Sequence, residues 1–149
     1  MTLNESQNPE YGTIETYRGV VYPWHIDQMG HMNVQFYTAR FDEATWHLFA
    51  SLGITPGFLK QHRRGMAAVD QHTQYKRELQ SGALIHITSE VLEIREKSVR
   101  FRHRMYNTET GEEAATTELV GVYIDSEARR AVPLPADILQ RANQTIKPR

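Results

Sequence analysis

The spacing of apolar residues along the chain predicts one long helix set among strands. Residues 13–22, TIETYRGVVY, are rich in β-branched and aromatic side chains and stop at Pro23, as a strand would. From residue 34 the period changes to three and four, which predicts a helix whose buried face carries Tyr37, Phe41, Ala44, Leu48 and Leu52. Asn33 can cap the start of this helix, and Gly53 and Pro56 are expected to end it.

Beyond a loop that contains HRRG the helical period does not return, and the pattern predicts further strands. The clearest is SVRFRHRMY, residues 98–106, in which side chains alternate between two faces. One face carries Ser98, Arg100, Arg102 and Arg104, and the other carries Val99, Phe101, His103 and Met105. His103 is interpreted as a core histidine with satisfied hydrogen bonds. The remaining predicted strands cover residues 66–79, 83–94 and 114–125, with Ser81-Gly82 as the turn between the first two, and a short last helix is expected in the tail.

A strand, a long helix and then antiparallel strands make an α+β layout, which we predict to be a single domain over residues 1–149. Residues 1–12 are expected to be flexible, and residues 127–149 to form a C-terminal extension. Because one helix covers only one face of a twisted sheet, the arginine-striped face should be solvated or turned towards a partner. The order of elements resembles the hotdog fold, an antiparallel sheet wrapped around one long central helix.

Composition narrows the possible functions. A net charge of −1 offers no basic field for a nucleic acid or an anionic membrane. The chain has no cysteine, which excludes disulfides, thiolate metal sites and thiol nucleophiles. No window approaches the roughly 18 apolar residues of a membrane span, and the start of the chain lacks the pattern of a signal peptide. We therefore expect a cytoplasmic protein with no nucleic-acid or membrane partner.

Polar side chains that could take part in catalysis are concentrated in residues 25–33, HIDQMGHMN, between the first strand and the helix. The first N–H groups of a helix have no intrahelical partner and its dipole makes that end partly positive, so it can stabilise an oxygen on which charge develops. Asp27 lies about a turn upstream, and Gly30 lets the chain bend back between the two. An ionised carboxylate beside helix N–H donors is enough to hydrolyse an activated acyl group such as a thioester.

Other interpretations of the same segment remain open. Asp27 can be a turn residue, and Asn33 a helix cap rather than a catalyst. His25, Asp27 and His31 could be considered as a metal set, but a divalent metal would also want a third or fourth protein ligand and an ordered second shell of contacts. We expect neither a metal nor a cofactor.

The stretch YPWHIDQMGHMNVQFYTARFDEA resembles the signature of the 4-hydroxybenzoyl-CoA thioesterase branch of the hotdog superfamily: an Asp, a short turn with Gly, then a helix with an early Tyr. GHMN is similar to a turn variant common among its acyl-CoA thioesterases. The resemblance extends over roughly residues 14–126. DQHTQYKREL and RRAVPLP further resemble small thioesterases associated with carnitine and betaine breakdown.

The resemblance implies roles for individual residues. Asp27 matches the catalytic carboxylate, and Val34 matches the residue whose backbone N–H polarises the thioester carbonyl. One related group has a catalytic histidine at the position of Val34, and His31 cannot be assumed to replace it. The mechanism, nucleophilic or general-base, therefore stays open. The predicted catalytic residues are Asp27, Val34, His31 and Asn33, and the predicted substrate-binding residues are Trp24, Tyr37, Asp70 and His72.

We predict an acyl-CoA thioesterase that acts on a small acyl group, in a homodimer or a dimer of dimers, because in the resembled family the active site lies between two joined sheets. The alternatives are a non-catalytic acyl-CoA-binding module and a hotdog hydratase of 2-enoyl thioesters.

Aromatic faces can hold quaternary ammonium groups, and aromatic residues are frequent near the 25–33 segment: Tyr22, Trp24, Phe36, Tyr37 and Trp46. Trp46 is expected to face elsewhere. We expect seven arginines either to be solvated or to contact CoA phosphates: Arg63, Arg64, Arg100, Arg102, Arg104, Arg129 and Arg130.

Overall fold

The computed structural model describes residues 12–145. The elements follow the chain as β1 (Thr13–Val20), a 3₁₀ turn (Pro23–His25), α1 (Val34–Ser51), α2 (Pro56–His62), β2 (Arg64–Tyr75), β3 (Leu84–Ile94), β4 (Ser98–Asn107), β5 (Glu113–Asp125), β6 (Arg130–Ala131) and α3 (Ala136–Thr145). The prediction that residues 1–12 are flexible falls, apart from Gly12, outside the described residues. No helix within the described part of the chain is long and apolar enough to cross a membrane.

The strands form one antiparallel sheet in the order β1-β3-β4-β5-β2, with β6 paired to β5. The long helix α1 packs on the inner face of this sheet, so the predicted α+β layout is confirmed. β1 and β2 are the two edges. Because β2 pairs with β5 and not with β3, residues 76–83, which include the Ser81-Gly82 turn, carry the chain across the sheet instead of closing a hairpin.

α1 forms as its apolar period predicts. The predicted stripe is buried along its whole length, with Phe41 1% and Leu48 0% exposed, and burial of each such side chain contributes about 1.5–3 kcal/mol. Asn33 caps the N-terminus by accepting a hydrogen bond from the Gln35 N–H. Gly53 follows the last turn with a φ of +87°, a left-handed conformation that glycine adopts without strain.

Two of the predictions are wrong. The segment predicted as a loop that contains HRRG forms a helix in its first part, α2, whose first turn is capped by the Thr55 hydroxyl and opened by Pro56. Seven residues are too few to display a helical period. The strand predicted over residues 66–79 begins earlier, at Arg64, and ends at Tyr75. The chain then turns inward, and Leu79 is buried at 1% exposure, where its carbonyl accepts a hydrogen bond from the Met32 N–H at 2.8 Å.

Helix α3 packs against the same core as α1. Ile138 and Ala142 of α3 are 2% and 0% exposed and lie in the cluster that contains Leu48 and Leu52 of α1. The predicted last helix is therefore confirmed, and it covers the end of the core where α1 finishes.

The alternation predicted for β4 is also confirmed. Its apolar side chains face α1, and its arginines lie on the outer face. There each arginine is paired with a glutamate of a neighbouring strand, as in Arg102 with Glu90 at 3.1 Å and Arg104 with Glu113 at 3.0 Å. These pairs across strands favour the interpretation of a solvated, ion-paired face.

A chain of hydrogen bonds crosses the core through His103, which is fully buried. Its Nδ1 lies 2.6 Å from the Ser89 hydroxyl, and its Nε2 lies 2.8 Å from the Thr45 hydroxyl. Since Thr45 donates to the Phe41 carbonyl at 3.0 Å, its oxygen is free to accept from the Nε2–H. Ser89 can then donate to Nδ1, so a neutral imidazole satisfies every group. Burial lowers the pKa of His103 to about 3.

The His103 imidazole should make stability depend on pH. Its pKa in the folded protein lies below the ordinary value of 6.5, so the unfolded chain binds more protons between these values. The stabilisation is complete above pH 6.5 and is lost as the pH falls, at about 1.4 kcal/mol per pH unit. We expect the loss of unfolding free energy caused by His103→Gln, measured by urea unfolding, to be about 2 kcal/mol smaller at pH 5 than at pH 7. An equal cost at both pH values would show that His103 is not held neutral.

Candidate active site

Residues 25–33 form a tight hairpin-like turn that delivers Asp27 to the start of α1. Ile26 and Met32 make a single antiparallel bridge, and the Asp27 N–H donates to the His31 carbonyl at 3.2 Å. Gly30, whose N–H donates to the Asp27 carbonyl at 3.0 Å, has a φ of +88°, which explains a glycine at this bend. The segment is anchored by Met32, which is 2% exposed.

The Asp27 carboxylate is held by two hydrogen bonds. Oδ1 accepts from the Met29 N–H at 2.8 Å, and Oδ2 accepts from the Asn33 side-chain amide at 2.7 Å. Both bonds favour the ionised form, and together with the nearby His31 they lower the pKa of Asp27 below its usual value. Asp27 is thus a carboxylate at neutral pH, and each oxygen keeps a lone pair free for another partner.

Asn33 connects this carboxylate to the helix. Its Nδ2 donates to Asp27, and its Oδ1 accepts from the Gln35 N–H at 3.0 Å. One amide group therefore caps α1 and fixes the orientation of Asp27. The predicted cap is confirmed, and the same residue also positions the predicted catalytic acid.

The Val34 N–H is the open donor at this end of α1. The Gln35 N–H bonds to the Asn33 side chain, and the Phe36 N–H bonds to the Asn33 carbonyl at 3.0 Å. Among residues 12–145 no acceptor is bonded to the Val34 N–H, and Val34 is 56% exposed. A donor at the positive end of the helix dipole, beside an ionised carboxylate, can polarise a carbonyl that the carboxylate or its water attacks.

The other predicted residues near this turn have different environments. His31 lies with its Nε2 3.5 Å from the Glu78 carboxylate. Tyr37 is 4% exposed and donates its hydroxyl to the Arg77 carbonyl at 3.4 Å. Burial raises the pKa of Tyr37 to about 12, so it is a neutral residue of the core wall beneath the turn. Trp24 is 70% exposed and stacks on Tyr22 at a ring-centroid distance of 4.6 Å.

Asp70 and His72 lie away from this turn within one chain. Asp70 pairs with Val120 and His72 with Glu118 of β5, whose side chains lie on the outer face of the sheet, opposite α1. Both residues are exposed. Their predicted role in substrate binding stays a prediction that requires another chain to approach β2.

The side chains of His25, Asp27 and His31, considered above as metal ligands, already contact other protein groups. Nδ1 of His25 accepts from the Tyr22 N–H at 2.9 Å, and Nε2 lies 3.1 Å from the Arg40 guanidinium. Burial, reinforced by the charge of Arg40, lowers the pKa of His25. Within residues 12–145 no group of three or more His, Asp or Glu side chains has the geometry to hold a metal.

A cavity of about 120 Å³, which the sequence did not predict, lies between α1 and β2. Buried aromatic and aliphatic side chains form its floor, and polar side chains of α1 and β2 form its rim. Its lining includes Thr38, Asp42, Trp46, Phe49, Met66 and Gln71. The α1 members recur at the helical period, but only the fold shows that β2 lies opposite them.

The chain matches a known protein family over most of its length. A family model described as Thioesterase-like superfamily matches residues 21–142, which include the turn, α1 and the whole sheet apart from β1. The chain belongs to this superfamily, and its architecture is the hotdog fold that the order of elements predicted.

Among curated proteins, a betainyl-CoA thioesterase of Pseudomonas aeruginosa is 23% identical over 86% of this chain and 80% of the relative. An L-carnitine dehydrogenase/betainyl-CoA thioesterase of Rhizobium meliloti is 24% identical over 78% of this chain. The match spans only 23% of that longer protein. Among solved structures, a Staphylococcus aureus protein in complex with CoA superposes with a TM-score of 0.83 at 20% identity, covering 95% of this chain and 87% of that one.

We expect Asn33→Ala to raise the pKa of Asp27 towards its ordinary value, because the amide that favours the carboxylate is removed. The same change removes the helix cap and should cost about 1 kcal/mol of unfolding free energy. Carbon-detected NMR titration of the Asp27 carboxyl group measures the first effect. Thr55→Ala, which removes the cap of α2, is the control for lost stability alone. An unchanged Asp27 pKa in Asn33→Ala would show that the two side chains are not coupled.

Proposed function

We propose that the protein is an acyl-CoA thioesterase that hydrolyses a small acyl-CoA to the free acid and CoA. The observation that carries this proposal is the ionised Asp27 carboxylate, oriented by Asn33, beside the open Val34 N–H at the start of α1. The superfamily match supports the reaction class. The solved relative in complex with CoA supports CoA as the carrier.

The reaction follows from the two groups. The thioester carbonyl oxygen accepts a hydrogen bond from the Val34 N–H, which stabilises the negative charge that develops as the carbonyl carbon is attacked. Asp27 either attacks this carbon itself, releasing the CoA thiolate and leaving a mixed anhydride that water hydrolyses, or removes a proton from the attacking water. Both routes yield the same products, and both need Asp27 ionised. A cytoplasmic location fits such a substrate and stays a prediction.

The proposed assembly is a homodimer, or a dimer of dimers, joined through β2. This strand has twelve residues, lies at an edge of the sheet and has exposed side chains on both faces over much of its length. Val69, an extra residue at a register shift between β2 and β5, is 61% exposed, and Tyr75 is 51% exposed. A long edge strand with exposed apolar side chains is a natural site for pairing with another strand. Such pairing would bring a second chain towards Asp70 and His72.

The first test is Asp27→Asn, which keeps the shape of the side chain and removes its charge. We expect kcat for acyl-CoA hydrolysis to fall by about 100-fold or more, because the base or nucleophile is lost. Thiol release from acetyl-, benzoyl- and betainyl-CoA is the measurement, with thermal unfolding to confirm the fold.

Asp137→Asn, an exposed carboxylate of α3 that pairs with Arg141, is the matched control and should keep full activity. If Asp27→Asn keeps most of the activity, the catalytic assignment is wrong. Binding of acyl-CoA by the native protein without thiol release would instead favour a binding module, and hydration of a 2-enoyl-CoA a hydratase.

A second test concerns the edge strand. Val69→Asp places a charge in the proposed β2 interface and should weaken dimerisation by about tenfold or more, because it must be desolvated when two edges pair. Sedimentation velocity over a range of protein concentrations measures this shift. Thr13→Asp on the opposite edge strand β1 should leave the assembly unchanged. If Thr13→Asp dissociates the assembly and Val69→Asp does not, the interface lies at the other edge.

A further inference from the structure

The buried imidazole of His25 faces a hydrogen-bond donor at each of its ring nitrogens. The Tyr22 N–H points at Nδ1 at 2.9 Å, and Nη2 of Arg40 lies 3.1 Å from Nε2. Backbone amides and guanidinium groups donate hydrogen bonds and do not accept them. A neutral imidazole accepts at only one nitrogen, because the other carries its proton. One of the two contacts therefore joins two donors.

The contact that joins two donors is the one with Arg40. Tyr22 is the N-cap of the 3₁₀ turn, and its backbone N–H is aimed at Nδ1, so a proton on Nδ1 would collide with it. The proton of the neutral ring therefore lies on Nε2. Burial and the charge of Arg40 lower the pKa of His25, which disfavours a second proton. His25 is 6% exposed, and among residues 12–145 no acceptor is bonded to its Nε2–H.

Arg40 supplies a positive charge at the same place. Its Nη1 donates to Glu43 at 3.2 Å, and its Nη2 is the nitrogen beside His25. The arginine side chain is 21% exposed, and it is long and flexible, whereas the imidazole is fixed by the turn. A small shift of Arg40 lets one oxygen accept from Nη2 and from the His25 Nε2–H together. An anionic oxygen suits this position, because hydrogen bonds between a charged donor and a charged acceptor are the strong ones.

The surrounding aromatic rings favour a nucleotide as the source of this oxygen. Trp24, the residue before His25, is 70% exposed and stacks on Tyr22 at a ring-centroid distance of 4.6 Å. Most of the indole is therefore open to solvent, and nucleotide bases stack on such rings. An exposed indole beside two donors of phosphate oxygens matches the two parts of a nucleotide, its base and its phosphates.

The donor pair lies within reach of a thioester held at the open end of α1. The His25 carbonyl accepts from the Asn33 N–H at 2.9 Å, so the imidazole belongs to the turn that precedes Val34. Arg40 lies about 9 Å beyond Val34 along the helix axis, and helical side chains tilt back towards the N-terminus. The pantetheine arm between the thioester and the diphosphate of CoA is about as long as four extended residues, roughly 14 Å. This arm can therefore place a phosphate at Arg40.

We propose that His25 and Arg40 bind a phosphate oxygen of CoA, with the His25 Nε2–H and the Arg40 guanidinium as the two donors. The proposal rests on the thioesterase function proposed above and adds residues that hold the carrier. The bound oxygen separates the two donors and gives each of them an acceptor. Arg40 then acts in substrate binding, while its Nη1 stays paired with Glu43.

The test compares acetyl-CoA with S-acetylpantetheine, which carries the same thioester without the phosphates and the nucleotide. We expect the native protein to prefer acetyl-CoA in kcat/KM by about tenfold or more, as for hydrogen bonds to a charged group. Arg40→Gln should reduce this preference by about tenfold. Because both substrates react at the same groups, a variant that only damages the active site lowers both rates and leaves their ratio unchanged.

Matched variants of His25 and Glu43 separate phosphate binding from a structural role. His25→Asn can still accept from the Tyr22 N–H but has no donor at the position of Nε2, and it should reduce the preference for acetyl-CoA. His25→Gln can place an amide N–H there and should retain more of the preference. Glu43→Gln breaks the ion pair and leaves both donors in place, so it should keep or raise the preference. An equal loss in Glu43→Gln and Arg40→Gln would show that only the ion pair matters, and the phosphate site would be wrong.

Titration calorimetry with CoA and with pantetheine needs no turnover and so separates this site from the thioesterase function. If the native protein shows no preference, or Arg40→Gln keeps it, the phosphate site is wrong and the thioesterase function stands. If Arg40→Gln instead abolishes a preference for succinyl-CoA over butyryl-CoA alone, the anion is an acyl carboxylate and the phosphate assignment is wrong. If no acyl-CoA releases thiol but Arg40→Gln weakens the binding of CoA and not of pantetheine, the thioesterase function fails and the phosphate site stands. Thermal unfolding of each variant confirms the fold.

Discussion

The amide of Asn33 is the interaction on which the rest of the site depends. It accepts a hydrogen bond from the second residue of α1 and donates one to Asp27, so a single side chain sets both where the helix begins and how the carboxylate points. Because the amide oxygen is used on Gln35, the Val34 N–H is left open beside the acid. Asn33 therefore determines both the start of α1 and the arrangement of the two groups that we propose for acyl transfer.

The rest of the molecule keeps this arrangement rigid. Met32 precedes the cap and is held by the Leu79 carbonyl, while Phe41 and Leu48 fix α1 against the sheet from within the core. The buried chain through His103 ties α1 to β3 by Thr45 and Ser89. Because every group of this hydrogen-bonded chain has a partner when His103 is neutral, the chain favours one orientation of α1 without placing a charge in the core.

Sequence reasoning succeeded where the determinants are local. The period of α1, its Asn33 cap, the Gly53 stop and the two faces of β4 all follow from neighbours within a few residues. It failed on α2, which is too short to show a period, and on the end of β2, where burial of Leu79 takes the chain out of the strand. The cavity could not be predicted, because Asp42 and Met66 come together only through the packing of α1 beside β2. Asp70 and His72 lie two residues apart and share one face of β2, but only the pairing with β5 shows which face that is.

The central claim is that a carboxylate and one helix N–H suffice to hydrolyse a thioester in this fold. The most direct test follows thiol and free-acid formation together when the native protein is mixed with a panel of short acyl-CoAs after prolonged treatment with EDTA. We expect continued turnover, with one free acid formed for each thiol released. Binding of the acyl-CoAs without release of thiol, or activity that disappears with chelator and returns with zinc or manganese, would contradict it.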